Sequence, residues 1–372
     1  MASYTQTCHD VLYLASCAVN NRIPNETRIY AMDLDAVYHV AKRHLVRAIV
    51  AVALESAGVK DKQFADGFGA SLRKTVIFAD AKKKLLVELD KAGIWYLPLK
   101  GMVLKDYYPK TGMREMSDHD ILIDATRAAD VKDIMESLGF ETVHFGRGSN
   151  DVYFKKPVLN FEMHTTLFTD FFNPTIADYY RNVKERLVRE SVDSCGYHFT
   201  KEDFYIYIIA HEYKHFSGGG TGIRSLIDTY LYLKKETLDM DYIRGELKKL
   251  GISDFEERNR SLSLHLFGGE KLTNDDKQML EYILNSGAYG TISHRVRNRI
   301  REKEGNKIAY MWSRFIVPVR PGSRGYDVYS KIYPFFYKNK ILLPFLPLYR
   351  LGRAFRKGVL KQEIKAVRKA KK

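Results

Sequence analysis

Two acidic residues one position apart could bind a metal ion. Asp118 and Asp120 stand on either side of His119, directly before the apolar run at 121–123. Because residues i and i+2 of a strand project from the same face, both carboxylates should point to one side of the strand. Adjacent carboxylates raise each other's pKa unless a cation lies between them, and Mg²⁺ prefers such oxygen ligands. The spacing therefore predicts a cation site at the start of a buried strand, with ordinary surface acids as the alternative.

Glu162 is the candidate third acid. Asn160, Glu162 and His164 alternate along VLNFEMHTTLF and therefore share one strand face. If this face lay beside the first two acids, three carboxylates could hold two divalent ions about 4 Å apart. One ion would activate an attacking oxygen and the other would steady a leaving pyrophosphate. A solvated strand residue is the alternative interpretation of Glu162.

A histidine pair suggests a different chemistry. The stretch HEYKH at 211–215 fits the H-E-x-x-H pattern of zinc proteases, and places His211 and His215 one helical turn apart. The extended pattern needs a further histidine six residues after the second one. Gly218 fits that pattern, but Thr221 stands at the last position. The protease interpretation is therefore disfavoured.

Apolar periodicity and glycine breaks indicate the elements that position these residues. The predicted elements are helical runs at 33–57 and 70–92, strands at 94–101 and 119–124, a helix in TRAADVKDIMESLG, and a hairpin formed by DVYFKKP and VLNFEMHTTLF. Segment 94–170 should form a compact α/β module with a mixed sheet. The pattern from 177 to 285 is almost entirely helical, with helices at 202–216 and 223–235.

The ordered set of motifs resembles the nucleotidyltransferase superfamily that includes DNA polymerase beta. Leu-Lys-Gly, Tyr-Tyr-Pro, an arginine, S-D-H-D-I-L-I and an E-x-H strand follow one another in the chain. More narrowly, the chain resembles the bacterial uncharacterised nucleotidyltransferase family, which is often found with surface-polysaccharide genes. The resemblance covers roughly residues 30–240 and extends more loosely to the tail.

This resemblance implies roles for the acids and for the turn before them. Asp118, Asp120 and Glu162 match the catalytic, metal-binding acids, with Mg²⁺ or Mn²⁺ as cofactor and ATP or another NTP as substrate. Gly101 matches the glycine where the backbone approaches the triphosphate. The superfamily usually has Gly-Ser at this turn, whereas here Met102 follows the glycine.

Five basic residues are the candidates for contacts with phosphate. Lys100 could replace the missing serine, and Arg114 lies between the turn and the acids, where solvated surface charge is the alternative. The family resembles this chain in a helix H-x-x-K-H, a glycine-rich break and a helix with I-R-S-L-I-D. This implies that Lys214, His215 and Arg224 close over the nucleotide phosphates. The alternatives are that His211 is an ordinary core histidine and that Arg224 only forms an intrahelical ion pair with Asp228.

The glycine-rich break at 218–222 opens the second of these helices. The first backbone amides of a helix have no partner within it and can bind an anion. The sequence therefore predicts a phosphate contact at this helix start.

The positive charge is concentrated at the end of the chain. Net charge is +15, and residues 331–372 carry 13 Lys and Arg against one acid. Interleaved aromatic, leucine and basic residues suit an anchor lying in the plane of an anionic membrane surface. Pro344 and Pro347 should bend this segment. A nucleic-acid partner is disfavoured by the number of apolar residues, and an ordinary packed terminal segment is the alternative.

Composition also limits the compartment. The three cysteines include no C-x-x-C pair, and the first residues lack the basic start of a signal peptide. No apolar run reaches the length of a membrane span, which is roughly 18 residues. The protein is therefore expected in the cytoplasm, with peripheral binding to the inner face of the membrane as a further expectation.

The expected fold is α+β, with a polymerase-beta-like nucleotidyltransferase core flanked by helical regions. The predicted regions are a helical N-terminal region at 1–93, the α/β core at 94–176, a helical domain at 177–304 and a basic, aromatic-rich tail at 305–372. The expected function is transfer of an NMP from an NTP to an acceptor hydroxyl or phosphate. The alternative is a non-catalytic protein of the same fold that works at the membrane surface.

Overall fold

The computed structural model describes residues 3–146, 148–315, 319–356 and 359–369. These residues form an α+β structure in which a mixed five-stranded sheet is flanked by helices, as predicted. Residues 316–318, 357–358 and 370–372 of the predicted basic tail lie outside the described part.

Five helices precede the sheet. They are α1 (Tyr4–Val19), α2 (Glu26–Tyr30), α3 (Leu34–Arg43), α4 (Arg47–Ser56) and α5 (Lys62–Lys91). The helical run predicted at 33–57 is two helices, because Leu45 adopts a left-handed backbone conformation (φ 57°) between them. The helix predicted at 70–92 starts earlier, since the Asp61 side chain accepts the amide of Phe64 and caps it there.

The predicted α/β module contains the five-stranded sheet. Its elements are β1 (Tyr96–Pro98), α6 (Gly101–Leu104), β2 (His119–Ile123), α7 (Ala128–Ser137), β3 (Glu141–His144), β4 (Asn150–Lys155) and β5 (Leu159–His164). The strand order is β1-β2-β5-β4-β3. Only the β2–β5 pair is parallel among these, and β4 and β5 form the predicted antiparallel hairpin. The central pair therefore joins the two strands that carry the candidate acids.

A mainly helical segment follows the sheet. Its elements are α8 (Pro174–Tyr179), β6 (Leu187–Arg189), β7 (Tyr197–Phe199), α9 (Lys201–Gly218), α10 (Ile223–Lys235), α11 (Met240–Leu250), α12 (Ser253–Gly268), α13 (Asn274–Ser286) and α14 (Ile292–Arg301). Helices α9 and α10 lie where they were predicted. The prediction of an almost entirely helical segment missed the short antiparallel pair β6–β7.

The described part of the tail is helical and broken. Its helices are α15 (Lys307–Phe315), α16 (Arg324–Ile332), α17 (Pro334–Lys338), α18 (Leu346–Arg356) and α19 (Val359–Lys369). Pro344 lies in a 3₁₀ turn before α18, in agreement with the predicted bend. Across the described residues, every helix is too short or too polar to cross a bilayer.

The two faces of the sheet pack against different helices. Ile121 and Phe161 belong to a core shared with α5 and α7. Leu122, from the opposite face of β2, belongs to a core shared with α9. Asp120 lies two positions before Leu122 in β2, so its side chain projects from the same face. This is the face covered by α9. The helix with the histidine pair thus covers the face that carries the acids.

The N-terminal helices are part of a third core. Residues of α1, α3 and α4 pack together with residues of α10, α12 and α13 in one apolar cluster. This helical layer supports the sheet through α5 and through the start of α10. The region boundaries after residues 93, 176 and 304 stay predictions.

Candidate functional site

Parallel pairing of β2 and β5 assembles a cluster of three potential metal ligands, Asp120, Glu162 and His164, which we call the acid cluster. Asp120 is opposite Glu162, and Leu122 is opposite His164 in the register. One Asp120 carboxylate oxygen, Oδ1, lies 2.7 Å from His164 Nε2. That nitrogen lies 3.8 Å from Glu162 Oε2. One ligand atom from each side chain lies within 4.8 Å of the others. Asp120 and Glu162 therefore meet on one sheet face, as predicted.

Two further side chains hold the carboxylates in place. Lys100 Nζ donates to Asp120 Oδ1 at 2.8 Å, and Asn150 Nδ2 donates to Glu162 Oε2 at 2.7 Å. Lys100 lies at the turn between β1 and α6 with a left-handed backbone (φ 45°). Such a conformation is uncommon for a residue with a side chain and often marks a functional turn. The turn thus delivers an ammonium group directly to the acid cluster.

The pKa values of the two acids are shifted in opposite directions. Burial raises the pKa of Glu162, and the negative charges of Asp120 and Asp118 raise it further. Burial would also raise the pKa of Asp120, but Lys100 and His164 outweigh it and hold the pKa well below its usual range. The pKa of one carboxylate is therefore lowered by its neighbours, and that of the other is raised by burial and by nearby negative charge.

Asp118 lies beside this cluster but is not a member of it. Its Oδ1 accepts a hydrogen bond from Ser117 Oγ at 2.9 Å. Its charge nevertheless acts on Glu162. His164, rather than Asp118, completes the group of three ligand atoms. The E-x-H alternation along β5 was the signal for this histidine, which sequence reasoning placed on the correct face without assigning it a role.

The residues present fit a divalent cation. Carboxylate oxygens from Asp120 and Glu162 are the ligands that Mg²⁺ and Mn²⁺ favour, and an imidazole suits Mn²⁺ better than Mg²⁺. The ammonium of Lys100 already lies against Asp120. The raised pKa of Glu162 indicates that the cluster still favours more positive charge.

Helix α9 brings its predicted polar stripe to the same place. The pKa of Lys214 is lowered by burial and by the charge of Lys100, whereas Asp120 and Glu162 oppose this shift. The ammonium of Lys214 lies 5.9 Å from the centre of the Phe168 ring. Lys100 therefore contacts the acid cluster from the turn before α6, and Lys214 interacts with it electrostatically from α9.

The histidine pair does not have the surroundings of a zinc protease. His211 and His215 are one helical turn apart, and their Nε2 atoms lie at hydrogen-bonding distance, 3.1 Å. The intervening Glu212 is buried, and its carboxylate accepts hydrogen bonds from Asn259 and Thr229. In a zinc protease this glutamate must reach the metal-bound water. Here it is directed into the helical core.

Arg114 is buried rather than solvated. Its Nε and Nη2 donate to the two carboxylate oxygens of Asp228 at 2.8 and 2.7 Å. Tyr108 donates to the same carboxylate at 2.7 Å. Arg224 instead donates to the backbone carbonyl of Glu115 at 2.6 Å. The alternative of an intrahelical pair between Arg224 and Asp228 is therefore wrong, and phosphate binding by either arginine stays a prediction.

Gly101 is required by the position of Arg114. A Cβ at this glycine would lie 2.3 Å from Arg114 Nη1 and 2.9 Å from Met116 Sδ. Only a residue without a side chain fits beneath the guanidinium. The predicted approach of a triphosphate to Gly101 stays a prediction, but the turn and the buried ion pair are clearly coupled.

The glycine-rich segment before α10 is packed, not open. A Cβ at Gly220 would lie 2.1 Å from Ser286 Oγ, and one at Gly222 would lie 2.9 Å from the backbone of Ala288. The first amide of α10, at Ile223, donates to His44 Nδ1 at 3.2 Å. The prediction of a phosphate contact at this helix start is therefore wrong. The glycines instead permit close contact with the loop after α13.

A large cleft adjoins the acid cluster. Its volume is about 1310 Å³, and it is lined by the end of β2, by the loop after β5 and by α8. Thr165, the residue after His164, is part of its wall. Trp95, Phe168 and Phe171 provide aromatic surface. The cleft has room for a substrate much larger than a phosphate group.

Comparison of the chain with curated proteins and with solved structures found no match. A family described as uncharacterised nucleotidyltransferase does match it, over residues 30–268. The matched range includes β2, β5, α9 and α10, and hence every residue of the acid cluster and of its basic surroundings. Since this range is well over half of the chain, the protein belongs to the uncharacterised nucleotidyltransferase family.

Proposed function

We propose that the protein is a metal-dependent nucleotidyltransferase that moves an NMP from an NTP to an acceptor hydroxyl or phosphate. The observation that carries this proposal is the cluster of Asp120, Glu162 and His164, which Lys100 contacts and whose charges act on Lys214. Carboxylates suited to a divalent cation, beside ammonium groups suited to phosphate, match the needs of nucleotidyl transfer. The family match supports the same class of reaction.

The proposed reaction is an in-line displacement. An acceptor oxygen attacks the α-phosphorus, the bond to the bridging oxygen breaks, and pyrophosphate leaves with that bond's electrons. Asp120 or Glu162 takes up the proton of an acceptor hydroxyl. Lys100, Lys214 and His215 neutralise the phosphates from the turn and from α9. A Mg²⁺ or Mn²⁺ ion held by Asp120 and Glu162, with Asp118 nearby, would supply charge stabilisation when bound.

The adjoining cleft is the proposed place for the acceptor. Its aromatic side chains could stack on an apolar or sugar-like face, while Asp124, Arg181 and Lys184 add polar groups to its wall. The loop after β5 connects the wall of this cleft to the acid cluster, because Thr165 directly follows His164. We further propose that the chain belongs to the polymerase-beta-like superfamily and, from the resemblance of its motifs, that it acts in surface-polysaccharide metabolism in the cytoplasm.

The experiment is to incubate pure protein with each labelled NTP, Mg²⁺ or Mn²⁺ and a bacterial lysate, and to identify the labelled product. Asp120→Asn should abolish labelling, because it removes the ionised carboxylate of the cluster. Asp130→Asn, at an exposed position of α7, is the matched control and should label normally. Labelling that survives Asp120→Asn in a folded protein would refute the proposal.

A non-catalytic binding protein is the second candidate function. The position of Asp118 outside the three-ligand cluster and Met102 in place of a serine both favour it. This candidate predicts NTP binding that depends on Lys100 and Lys214, with no pyrophosphate release for any NTP. Pyrophosphate release that is lost in Asp120→Asn would exclude it.

A further inference from the structure

The helices of the tail carry the excess charge of the whole protein. Residues 305–372 contain 17 Lys and Arg residues and two acids, which accounts for the entire net charge of +15. The preceding 304 residues are therefore electrically balanced overall. A surface with this imbalance attracts polyanions or an anionic bilayer.

The same helices expose apolar side chains. The exposed large apolar residues of α15–α19 and their connections are Ile308, Met311, Trp312, Ile332, Phe335, Ile341, Phe345, Leu348, Tyr349, Phe355 and Ile364. Ile341 is 88% exposed, and Leu348 is 64% exposed. Single exposed apolar residues are ordinary, but a dense group of them marks an interaction surface. Aliphatic and aromatic groups among basic ones favour a lipid surface over nucleic acid, which binds mainly through its phosphates.

An apolar cavity lies between α15, α18 and α19. It encloses about 240 Å³ and is walled by Met311, Leu351, Leu360 and Val367. Arg314, Arg350 and Arg368 also line it, against a single acid, Glu363. Arg314 pairs with that acid, while Arg350 donates to neutral oxygens of Arg314 and Tyr329. The cavity therefore combines an apolar interior with excess positive charge.

We propose that α15–α19 form a docking surface for an anionic phospholipid bilayer, with the cavity taking an acyl chain of one bound lipid. Arg350 and Arg368 bind the lipid phosphates, and the exposed apolar residues enter the interfacial region. Since no described helix can span a bilayer, the attachment is peripheral. The proposal does not rest on the proposed transferase activity.

The first experiment is sedimentation of the full-length protein with vesicles. Vesicles of phosphatidylcholine with phosphatidylglycerol should bind it at least about tenfold more tightly than pure phosphatidylcholine. Raising the salt concentration should weaken this binding without abolishing it, because apolar insertion is not screened. Equal binding to both vesicle types, or binding to RNA with none to vesicles, would overturn the proposal.

Point variants test the apolar part of the surface. Leu348→Glu and Phe355→Glu, both on α18, should each weaken vesicle binding by about tenfold or more. Val192→Glu is the matched control, since Val192 is 86% exposed but lies outside the tail, and it should bind normally. Unchanged binding by both α18 variants would contradict insertion. Asp120→Asn should bind vesicles like the unmodified protein, which separates this result from the test of catalysis.

Fluorescence gives a direct test of insertion. The chain has two tryptophans, Trp95 in the cleft and Trp312 on α15. In a Trp95→Phe variant, emission comes from Trp312 alone. Vesicles whose acyl chains carry bromine should quench this emission, whereas unbrominated vesicles should not. Binding without quenching would overturn the proposed insertion.

Discussion

Arg114 shows how a residue's chemistry depends on its partner. Its position in the sequence suggested a phosphate ligand, yet its guanidinium forms a buried pair with both oxygens of Asp228. A guanidinium that is already paired on two nitrogens has little capacity left for a ligand. Arg114 therefore holds α10 against the turn that carries Lys100, and its role as a phosphate ligand stays a prediction.

We expect Arg114→Met to destabilise the protein by about 3–5 kcal/mol, because it leaves the buried carboxylate of Asp228 without its counter-ion. Urea unfolding measures the change. Arg127→Met is the matched control, since Arg127 forms an exposed pair with Asp130 and should cost at most about 1 kcal/mol. A stable Arg114→Met variant with a raised KM for NTP would instead restore the role of phosphate ligand.

His119 should make stability depend on pH. It is buried beside the ring of Phe78, and its Nδ1 has no hydrogen-bond partner among the described residues. Burial, with help from Lys82, lowers the pKa of His119 from 6.5 to about 3. Between these values the unfolded chain binds a proton that the folded chain does not, so stability falls as pH falls.

The His119→Phe variant tests this dependence. The unmodified protein should lose about 2 kcal/mol between pH 7 and pH 5 through this histidine, and the variant should not lose that part. Urea unfolding at both pH values gives the difference. Replacement of the exposed His9 by Asn is the control and should leave the pH dependence unchanged. Equal slopes for His119→Phe and the unmodified protein would show that another group is responsible.

At the scale of elements, strand alternation was predictable and strand pairing was only partly so. The side-chain period of two placed Glu162 and His164 on one face from local sequence alone. It could not establish that β5 runs parallel to β2 with Asp120 opposite Glu162. That register depends on which strands are neighbours in the sheet, and it brings His164 rather than Asp118 into the ligand cluster.

The turn before α6 gives a prediction at this scale. Gly101→Ala should destabilise the protein by about 1–3 kcal/mol, because the new methyl group displaces Arg114 and Met116. It should also lower turnover, since Lys100 lies at the same turn. Gly245→Ala in α11 is the matched control: no atom lies within 4 Å of the added Cβ, so the helix should gain about 0.5–1 kcal/mol. Thermal unfolding of both variants measures these changes.

At the scale of the whole molecule, the long-range core could not be read from local patterns. The helical runs themselves were visible in the sequence, but their periodicity does not say which helices pack together. In the structure α1, α3 and α4 share a core with α10, α12 and α13, at separations of more than 160 residues. The start of α10 is buried by this packing. The glycines before it therefore pack against neighbouring residues, and the first amide of the helix donates to a side chain of the protein.

Because the acid cluster joins β2 to β5 and contacts Lys100 of the turn before α6, ligand binding should stabilise the whole protein. A ligand that binds only the folded state at 100 times its Kd adds about 2.7 kcal/mol, which should raise the Tm by about 3 °C or more. We therefore expect Mg²⁺ or Mn²⁺ with a non-hydrolysable analogue of the correct NTP to produce this shift in a thermal scan. Glu162→Gln should abolish the shift, whereas Glu141→Gln on the exposed edge strand β3 should retain it. A shift produced instead by Zn²⁺, and lost in His211→Ala, would move the metal site to the histidine pair and contradict the proposed function.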